Sequence, residues 1–393
     1  MDKKSTGTIR YRYLTAVLFV LVVFVCTALN AKEVLQNYKD GTTRGVRALA
    51  ADAESVDAIV YPFVNLNGAF QNVMQRDYIY DADPANDTIK KKSGYIVSIP
   101  SGYSDEDVAA ASDKLKASAD WLAAYDIPLV YIQAPSKMSI SSDEAMPGIT
   151  NHTYAKNALF REKAEALGID YVDSTEWLTG TDADFYRTDH HWTTEACFDV
   201  AAGICTHLRD RYGIETDASV LDRNGYEFTV HKNAFLGAEG RRTGIWYTGL
   251  DDFTEITPVF DTDFDITISD KDGNVSERHG SFADTVMDKS KDVSHYSFED
   301  SAYYEYWSGD YGRIHAVNKK APDAPKVLVF KDSYGVPVTA FLTNAFSEMD
   351  IIDIRYYSDD KSVKDIITEE QPDAVLYIYG TGYLSKKKMF SIK

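Results

Sequence analysis

Short apolar runs recur along this chain with helix-length amphipathic stretches between them, and that alternation restricts its fold more than any other feature. The runs lie at 94–99, 127–132, 169–172, 326–330, 351–356 and 374–379. Strands separated by crossover helices pair in parallel, and runs this continuously apolar belong in a sheet covered on both faces. The pattern therefore predicts an α/β domain over residues 91–393. Helices are expected from Ser104, which caps an acidic first turn, to about Tyr125. Others are expected over 154–167, stopped by Gly168, over 193–212 with Thr193 or Thr194 at the cap, from Gly335 to about Phe346, and over 365–370. Residues 226–310 break the rhythm. Strand-like alternation at 253–268, a turn signal at Lys271-Asp272-Gly273-Asn274 and crowded aromatics at 296–311 read as a β-rich insertion.

Upstream, residues 32–90 read as a stalk, with helices at 51–61 and 64–75 separated by Pro62. Residues 13–31 run for nineteen positions without a charge and follow Lys3, Lys4, Arg10 and Arg12, opposed only by Asp2. That length spans a bilayer, and the basic flank at 1–12 is the side expected to remain in the cytoplasm. Leu29-Asn30-Ala31 is a poor cleavage site. The expectation is a retained signal anchor: a single-pass protein of the cell membrane with its working domain outside. The net charge is −20, and setting aside the first twelve residues, which carry +3, leaves −23. Such an acidic chain is a poor nucleic-acid binder. Its three cysteines, Cys26, Cys197 and Cys205, make no disulfide framework. The last two, eight apart on an expected helix, stand about 12 Å from each other, too far to pair.

Two segments carry chemistry. The run at 326–330 leads into Lys331-Asp332-Ser333-Tyr334-Gly335 and then a helix, which puts Ser333 on a tight turn at the carboxyl end of a strand. A serine there is either a helix cap or a nucleophile. As a nucleophile it needs a base, normally a histidine oriented by a carboxylate. Asp189-His190-His191-Trp192, in a loop before the helix at 193–212, supplies two imidazoles beside one carboxylate. Residue types alone do not choose between His190 and His191, and Trp192 reads as packing beneath the loop. Together the two segments favour a serine esterase or acyl transferase.

The Thr188-Asp189-His190-His191-Trp192-Thr193 segment resembles the signature of the DHHW family, and Val329-Phe330-Lys331-Asp332-Ser333-Tyr334-Gly335 resembles that family's serine motif. The family is related to the SGNH hydrolase-like domains of the alginate O-acetyltransferases AlgJ and AlgX. Further similarities are Ala134-Pro135-Ser136-Lys137, Phe235-Leu236-Gly237, the segment at 248–253 and Arg355-Tyr356-Tyr357, so the resemblance covers about 90–393. It implies an SGNH hydrolase-like, flavodoxin-like three-layer fold and a triad of Ser333, His191 and Asp189, with no cofactor and no resident metal. His191 is preferred because the related motif is Asp-x-His-Trp.

For the oxyanion, the backbone N–H of Ser333 is the first choice, with Tyr334, Gly237, Arg355 and His190 as further pocket candidates. The last strand runs into Gly380-Thr381-Gly382-Tyr383 without the asparagine that the SGNH pattern uses. Lys137 reads as solvated. The implied activity is that of an O-acetyltransferase or acetylesterase acting on a cell-surface polysaccharide, with a membrane-bound O-acyltransferase as its acetyl-donating partner. Two other readings stand beside it. One is a metal-dependent phosphoesterase using Asp189, His190 and His191 with Asp173 or Asp182 as further ligands. The other is a non-catalytic polysaccharide-binding or scaffold protein on the same fold.

Overall fold

The computed structural model describes residues 57–81, 83, 86–99, 102–140, 149–216 and 218–392. The expected anchor at 13–31 lies outside them, and among the described residues no helix is long and apolar enough to cross a membrane. The chain divides into two units. The smaller holds helix α1 (Asp57–Val73) and residues 241–247. Within it the Ile245 amide donates to Asn65 Oδ1 at 2.9 Å and the Asn72 side chain to the Trp246 carbonyl at 2.7 Å. α1 runs straight through Pro62 where two helices are expected from the sequence. A proline removes one amide donor from the ladder, and here the helix continues past it.

The larger unit, residues 77–240 and 248–393, holds every strand found among the described residues. β1 (Tyr78–Ile79), β2 (Thr88–Lys90) and β3 (Ile96–Ser98) make a small antiparallel sheet. After α2 (Asp105–Ala123) come β4 (Leu129–Ala134), α3 (His152–Ala166), β5 (Asp170–Asp173) and α4 (Thr194–Tyr212). β6 (Tyr226–Phe235) pairs only with β7 (Asp251–Pro258), and α5 (Ala238–Thr243) and α6 (Ile245–Thr248) lie between them in sequence. The chain then forms β8 (Phe264–Ser269), β9 (Val275–Gly280), α7 (Phe282–Thr285), β10 (Arg313–Asn318) and β11 (Lys326–Lys331). It finishes with α8 (Gly335–Leu342), β12 (Glu348–Ile352), α9 (Val363–Glu370) and β13 (Ala374–Gly380).

The central sheet has eight strands in the order β5-β4-β13-β11-β12-β10-β8-β9. It is parallel from β5 to β12 and antiparallel from β12 to β9. The parallel sheet expected from the sequence is thus the β5–β12 part of a mixed one. The β-rich insertion is likewise only partly separate, because β8 and β9 extend the main sheet through β10, leaving β6 and β7 as a distinct ribbon. The β8–β9 hairpin turns at Gly273, whose φ of +80° only glycine adopts readily.

Both faces of the parallel half are covered. Along β11, Val327 and Val329 point into a core shared with α4 and α8, while Leu328 and Phe330 point into one shared with α2, α3 and α9. That two-residue alternation makes three layers, each fully buried large side chain contributing about 1.5–3 kcal/mol. The layers bring the carboxyl ends of β4, β13, β11 and β12 to one edge. The caps expected from the sequence form there and elsewhere: Ser104 accepts from Asp107 N, Thr193 accepts from Ala196 N, and Gly168, at φ +72°, follows the end of α3.

Candidate active site

Ser333 stands where β11 hands over to α8, half-buried on a turn that its neighbours hold from both sides. Asp332 accepts the Tyr334 amide at 2.9 Å through Oδ1 and the Gly380 amide at 2.8 Å through Oδ2, tying the turn to the end of β13. Burial pushes the Asp332 carboxyl up to about 6, against those two bonds. Among the described residues the Ser333 amide has no hydrogen-bond acceptor.

The second segment is a loop clamped across its base. Phe185 bridges Trp192, and the Thr193 amide donates to the Asp184 carbonyl at 2.9 Å. Asp251 accepts from the Arg187 amide, the Thr188 amide and the Thr188 hydroxyl. Beneath the loop lies Lys137, 3% exposed, whose ammonium donates to the carbonyls of Tyr186 at 3.0 Å and Asp189 at 2.6 Å. The solvated lysine expected from the sequence is therefore a buried brace. Its position just past the end of β4 carries it under the loop, and desolvation lowers its pKa. Trp192, fully buried, donates its indole N–H to the Tyr334 carbonyl at 2.9 Å and so fastens the loop to the serine turn.

These two supports bring Asp189, His191 and Ser333 into one hydrogen-bonded series. Asp189 Oδ1 lies 2.6 Å from His191 Nδ1 and also accepts the His191 amide at 2.9 Å. His191 Nε2 lies 2.8 Å from Ser333 Oγ. An ionised carboxylate can only accept, so Nδ1 carries the proton and Nε2 is left to accept from the serine hydroxyl. Burial lowers the His191 pKa, the His190 charge adds to this, and Asp189 opposes both. Asp189, buried itself, is held well below the ordinary carboxylate range by the two imidazoles and the hydrogen bonds from His191. The arrangement leaves a neutral base next to an alcohol.

The other sequence candidates fall elsewhere. Gly237 packs behind the carboxylate: its amide donates to Thr188 Oγ1 at 2.9 Å, the next amide, of Ala238, donates to Asp189 Oδ2 at 2.6 Å, and a Cβ at Gly237 would sit 2.2 Å from Asp189 Cβ. The glycine admits a close approach of two chains and does not face an oxyanion. Tyr334 has both its donors occupied, the amide by Asp332 and the hydroxyl by the His190 carbonyl at 2.8 Å. Arg355 is gripped by both oxygens of Asp353 and by Tyr383 Oη, within a charge network that includes Asp310 and Lys331. These contacts make it part of a strand-end ion-pair network just past β12. His190 does lie at the site, its side chain 45% exposed beside Asp189.

Two residues belong to the site that the sequence did not single out. Tyr303 stacks on His191 with ring centroids 4.1 Å apart and 13° between planes, and its hydroxyl donates to the Ser333 carbonyl at 3.0 Å. Its only signal was membership of an aromatic-rich stretch. Glu239, 1% exposed in the first turn of α5, accepts from Ser98 Oγ at 3.1 Å and lies 3.8 Å from His190 Nδ1. The ligand atoms of Asp189, His190 and His191 lie within 4.8 Å of one another. The further ligands a metal site would recruit are engaged elsewhere: Asp182 pairs with Lys91, and Asp173 accepts from Thr175.

Comparison with known proteins agrees with this fold. Residues 98–232 match the model of the SGNH hydrolase-like domain of acetyltransferase AlgX. No curated protein matches the chain. Among solved structures, Bacillus cereus PatB1 superposes with a TM-score of 0.64 at 18% identity, over 78% of this chain and 99% of that one. PatB1 carrying a sulfonyl adduct gives 0.63 at 19%, over 77% and 99%. A DHHW family protein from Eubacterium siraeum gives 0.59 at 16%, over 80% and 98%. Identities this low speak to the fold. Over residues 98–232 the chain is thus similar to the SGNH hydrolase-like domain of AlgX, in a fold it shares with a DHHW family protein, as its Asp-His-His-Trp and Asp-Ser-Tyr-Gly segments led us to expect.

Proposed function

We propose that this protein is a serine-dependent O-acetyltransferase or acetylesterase that moves acetyl groups on a cell-surface polysaccharide, held at the membrane by residues 13–31 with its catalytic domain outside. The observation that carries the reading is the continuous series Asp189–His191–Ser333 at 2.6 and 2.8 Å, with a half-buried hydroxyl at its end. Ser333 Oγ attacks the acetyl carbonyl as its proton passes to His191 Nε2. The carbonyl oxygen becomes an oxyanion facing the Ser333 amide. His191 then returns the proton to the departing alkoxide as the ester bond breaks, leaving acetyl-Ser333. A sugar hydroxyl or water gives its proton to His191 and attacks, releasing the acetylated sugar or acetate and restoring the serine. Asp189 fixes the tautomer and stabilises the imidazolium at each transfer.

No acetyl-CoA is present outside the cell, so transfer draws on a membrane-bound O-acyltransferase that delivers acetyl across the bilayer. The test follows acetate release from an O-acetylated polysaccharide, and acetyl transfer to an unacetylated one, by wild type and Ser333→Ala. Loss of both in the variant supports the reading. Wild type that binds polysaccharide but neither releases nor transfers acetyl, and forms no adduct with a serine-reactive probe, would establish a binding or scaffold role instead.

A further inference from the structure

We propose that the pocket beside Glu305 is a second ligand site, which binds the ammonium group of an amino sugar. The pocket has a volume of about 300 Å³ and is lined by residues of β6, β7, the segment 283–294 and Glu305. Ligand pockets run from about 300 to 1,000 Å³, so this one has room for a single small unit such as a sugar ring. The ammonium half of the inference rests on the pocket alone, and the sugar half rests on the polysaccharide reading above.

Glu305 ends a helical turn, Ala302–Glu305, whose surroundings fix it in place. The Asp288 amide donates to the Glu305 carbonyl at 2.7 Å and the Trp307 amide to the Val286 carbonyl at 2.7 Å. The Tyr306 hydroxyl accepts the Ile256 amide at 2.9 Å and donates to the Ile256 carbonyl at 3.1 Å, which ties the turn to β7. Tyr303 of this turn touches Ser333 and His191, while Glu305, two residues on, lines the pocket. Glu305 is 4% exposed, and its Oε2, shut off from solvent, has no hydrogen-bond partner among the described residues. A buried carboxyl left unmatched bears the cost of its desolvation, which a ligand bringing a donor recovers.

The charges around it specify a cationic donor. Glu255 on β7 and Asp288 after α7 both disfavour ionisation of Glu305, and Asp292 lines the same pocket. The cations there are committed to other acids: His231 of β6 lies 3.0 Å from Glu255, Lys289 reaches Asp284 and Lys291 reaches Asp300. The net charge of −20 adds a field that draws cations toward the whole chain. A bare metal ion is poorly served, because among the described residues the one trio of His, Cys, Asp or Glu close enough to hold it is Asp189, His190 and His191. An ammonium needs a single buried carboxylate. Thr257 and Ser294 offer hydroxyls to a sugar ring, and Met287 and Val293 an apolar wall. Burial, then Glu255 and Asp288, push the Glu305 carboxyl up to about 8. Below that pH it keeps its proton until the ammonium arrives; the proton then passes to buffer, and an N–H···O bond to the carboxylate forms.

The experiment titrates full-length wild type, Ser333→Ala and Glu305→Gln with glucosamine, N-acetylglucosamine and n-butylamine by calorimetry, with folding checked by thermal melt. Wild type is expected to bind glucosamine at least about tenfold more tightly than N-acetylglucosamine, which has the ring without the ammonium, and more tightly than butylamine. Glu305→Gln keeps the shape, loses the charge and should abolish the preference for glucosamine over N-acetylglucosamine. At pH 6.5 the wild-type heats in phosphate and in ACES buffer should differ by the release of about one proton per glucosamine, a readout that needs no variant. Equal affinity for the two sugars, a preference that survives Glu305→Gln, or binding without proton release overturns the proposal. Butylamine binding as tightly as glucosamine overturns the assignment of a sugar. Ser333→Ala should bind glucosamine as wild type does. Wild type that binds glucosamine but turns over no acetyl ester therefore sinks the catalytic reading and leaves this site standing.

Discussion

Gly237→Ala tests the site through a residue that touches no substrate. The added Cβ would lie 2.2 Å from Asp189 Cβ, 2.6 Å from its Cα and 2.6 Å from its Oδ2. Carbon atoms in contact sit about 3.5–4.0 Å apart, so relief requires the two chains to separate by about 1.3 Å or more. The Asp189 carboxylate cannot yield that distance and keep its bonds, because Oδ1 is 2.6 Å from His191 Nδ1 and Oδ2 is 2.6 Å from the Ala238 amide. A misplacement of about 1 Å in catalytic geometry costs about 10²-fold in rate. The expected result is a fall in kcat for a small acetyl ester of about 10²-fold or more. Overpacking of about 1–3 kcal/mol should lower Tm by several degrees without unfolding the protein. Gly382→Ala is the matched control, since its Cβ would meet nothing within 4 Å, and it should leave kcat unchanged. A folded Gly237→Ala variant with wild-type kcat would refute the argument that Asp189 must be held where it is.

Lys137→Met removes the donor from three loop carbonyls, those of Tyr186, Arg187 and Asp189, leaving acceptors whose loss costs about 1–3 kcal/mol each, and should lower both Tm and kcat while leaving the secondary structure intact by circular dichroism. Because the His191 pKa is lowered, kcat/KM should be flat from neutral pH upward and fall only below about 6.5, the ordinary histidine value; an acid limb above 7 would contradict this. His190, raised to about 9 by its carboxylates, contributes stability that is complete below the unfolded value of about 6.5 and is lost as pH rises through 9. The Tm difference between wild type and His190→Gln should therefore be larger at pH 6 than at pH 9.5. Dialysis against EDTA should leave ester turnover unchanged while Ser333→Ala abolishes it; the reverse pair of results would favour the metal-dependent reading.

What the sequence discloses about this protein is local. The caps at Ser104 and Thr193 and the stop at Gly168 are written in a few adjacent residues, and each forms as expected; the two chemical segments are equally local. The antiparallel half of the sheet was not legible because it depends on β10 lying between β8 and β12, pairings that strand-like alternation at 253–268 and 351–356 does not encode. The same limit hid the supports of the site. Lys137, Glu239 and Tyr303 are unremarkable in their own neighbourhoods and acquire their roles from contacts roughly 50, 50 and 30 residues distant, across elements joined only by the fold. Gly237 was named from the sequence as an oxyanion candidate, whereas in the structure it packs against Asp189.

The central claim is that Ser333 is made nucleophilic by His191 and Asp189, and trapping with phenylmethylsulfonyl fluoride followed by peptide mass spectrometry measures it most directly. The account predicts a single sulfonyl group on the peptide containing Ser333, absent from Ser333→Ala and slowed by at least about 10²-fold in His191→Ala and Asp189→Asn. Modification at another residue, or equal rates with and without the His191 imidazole, would contradict it.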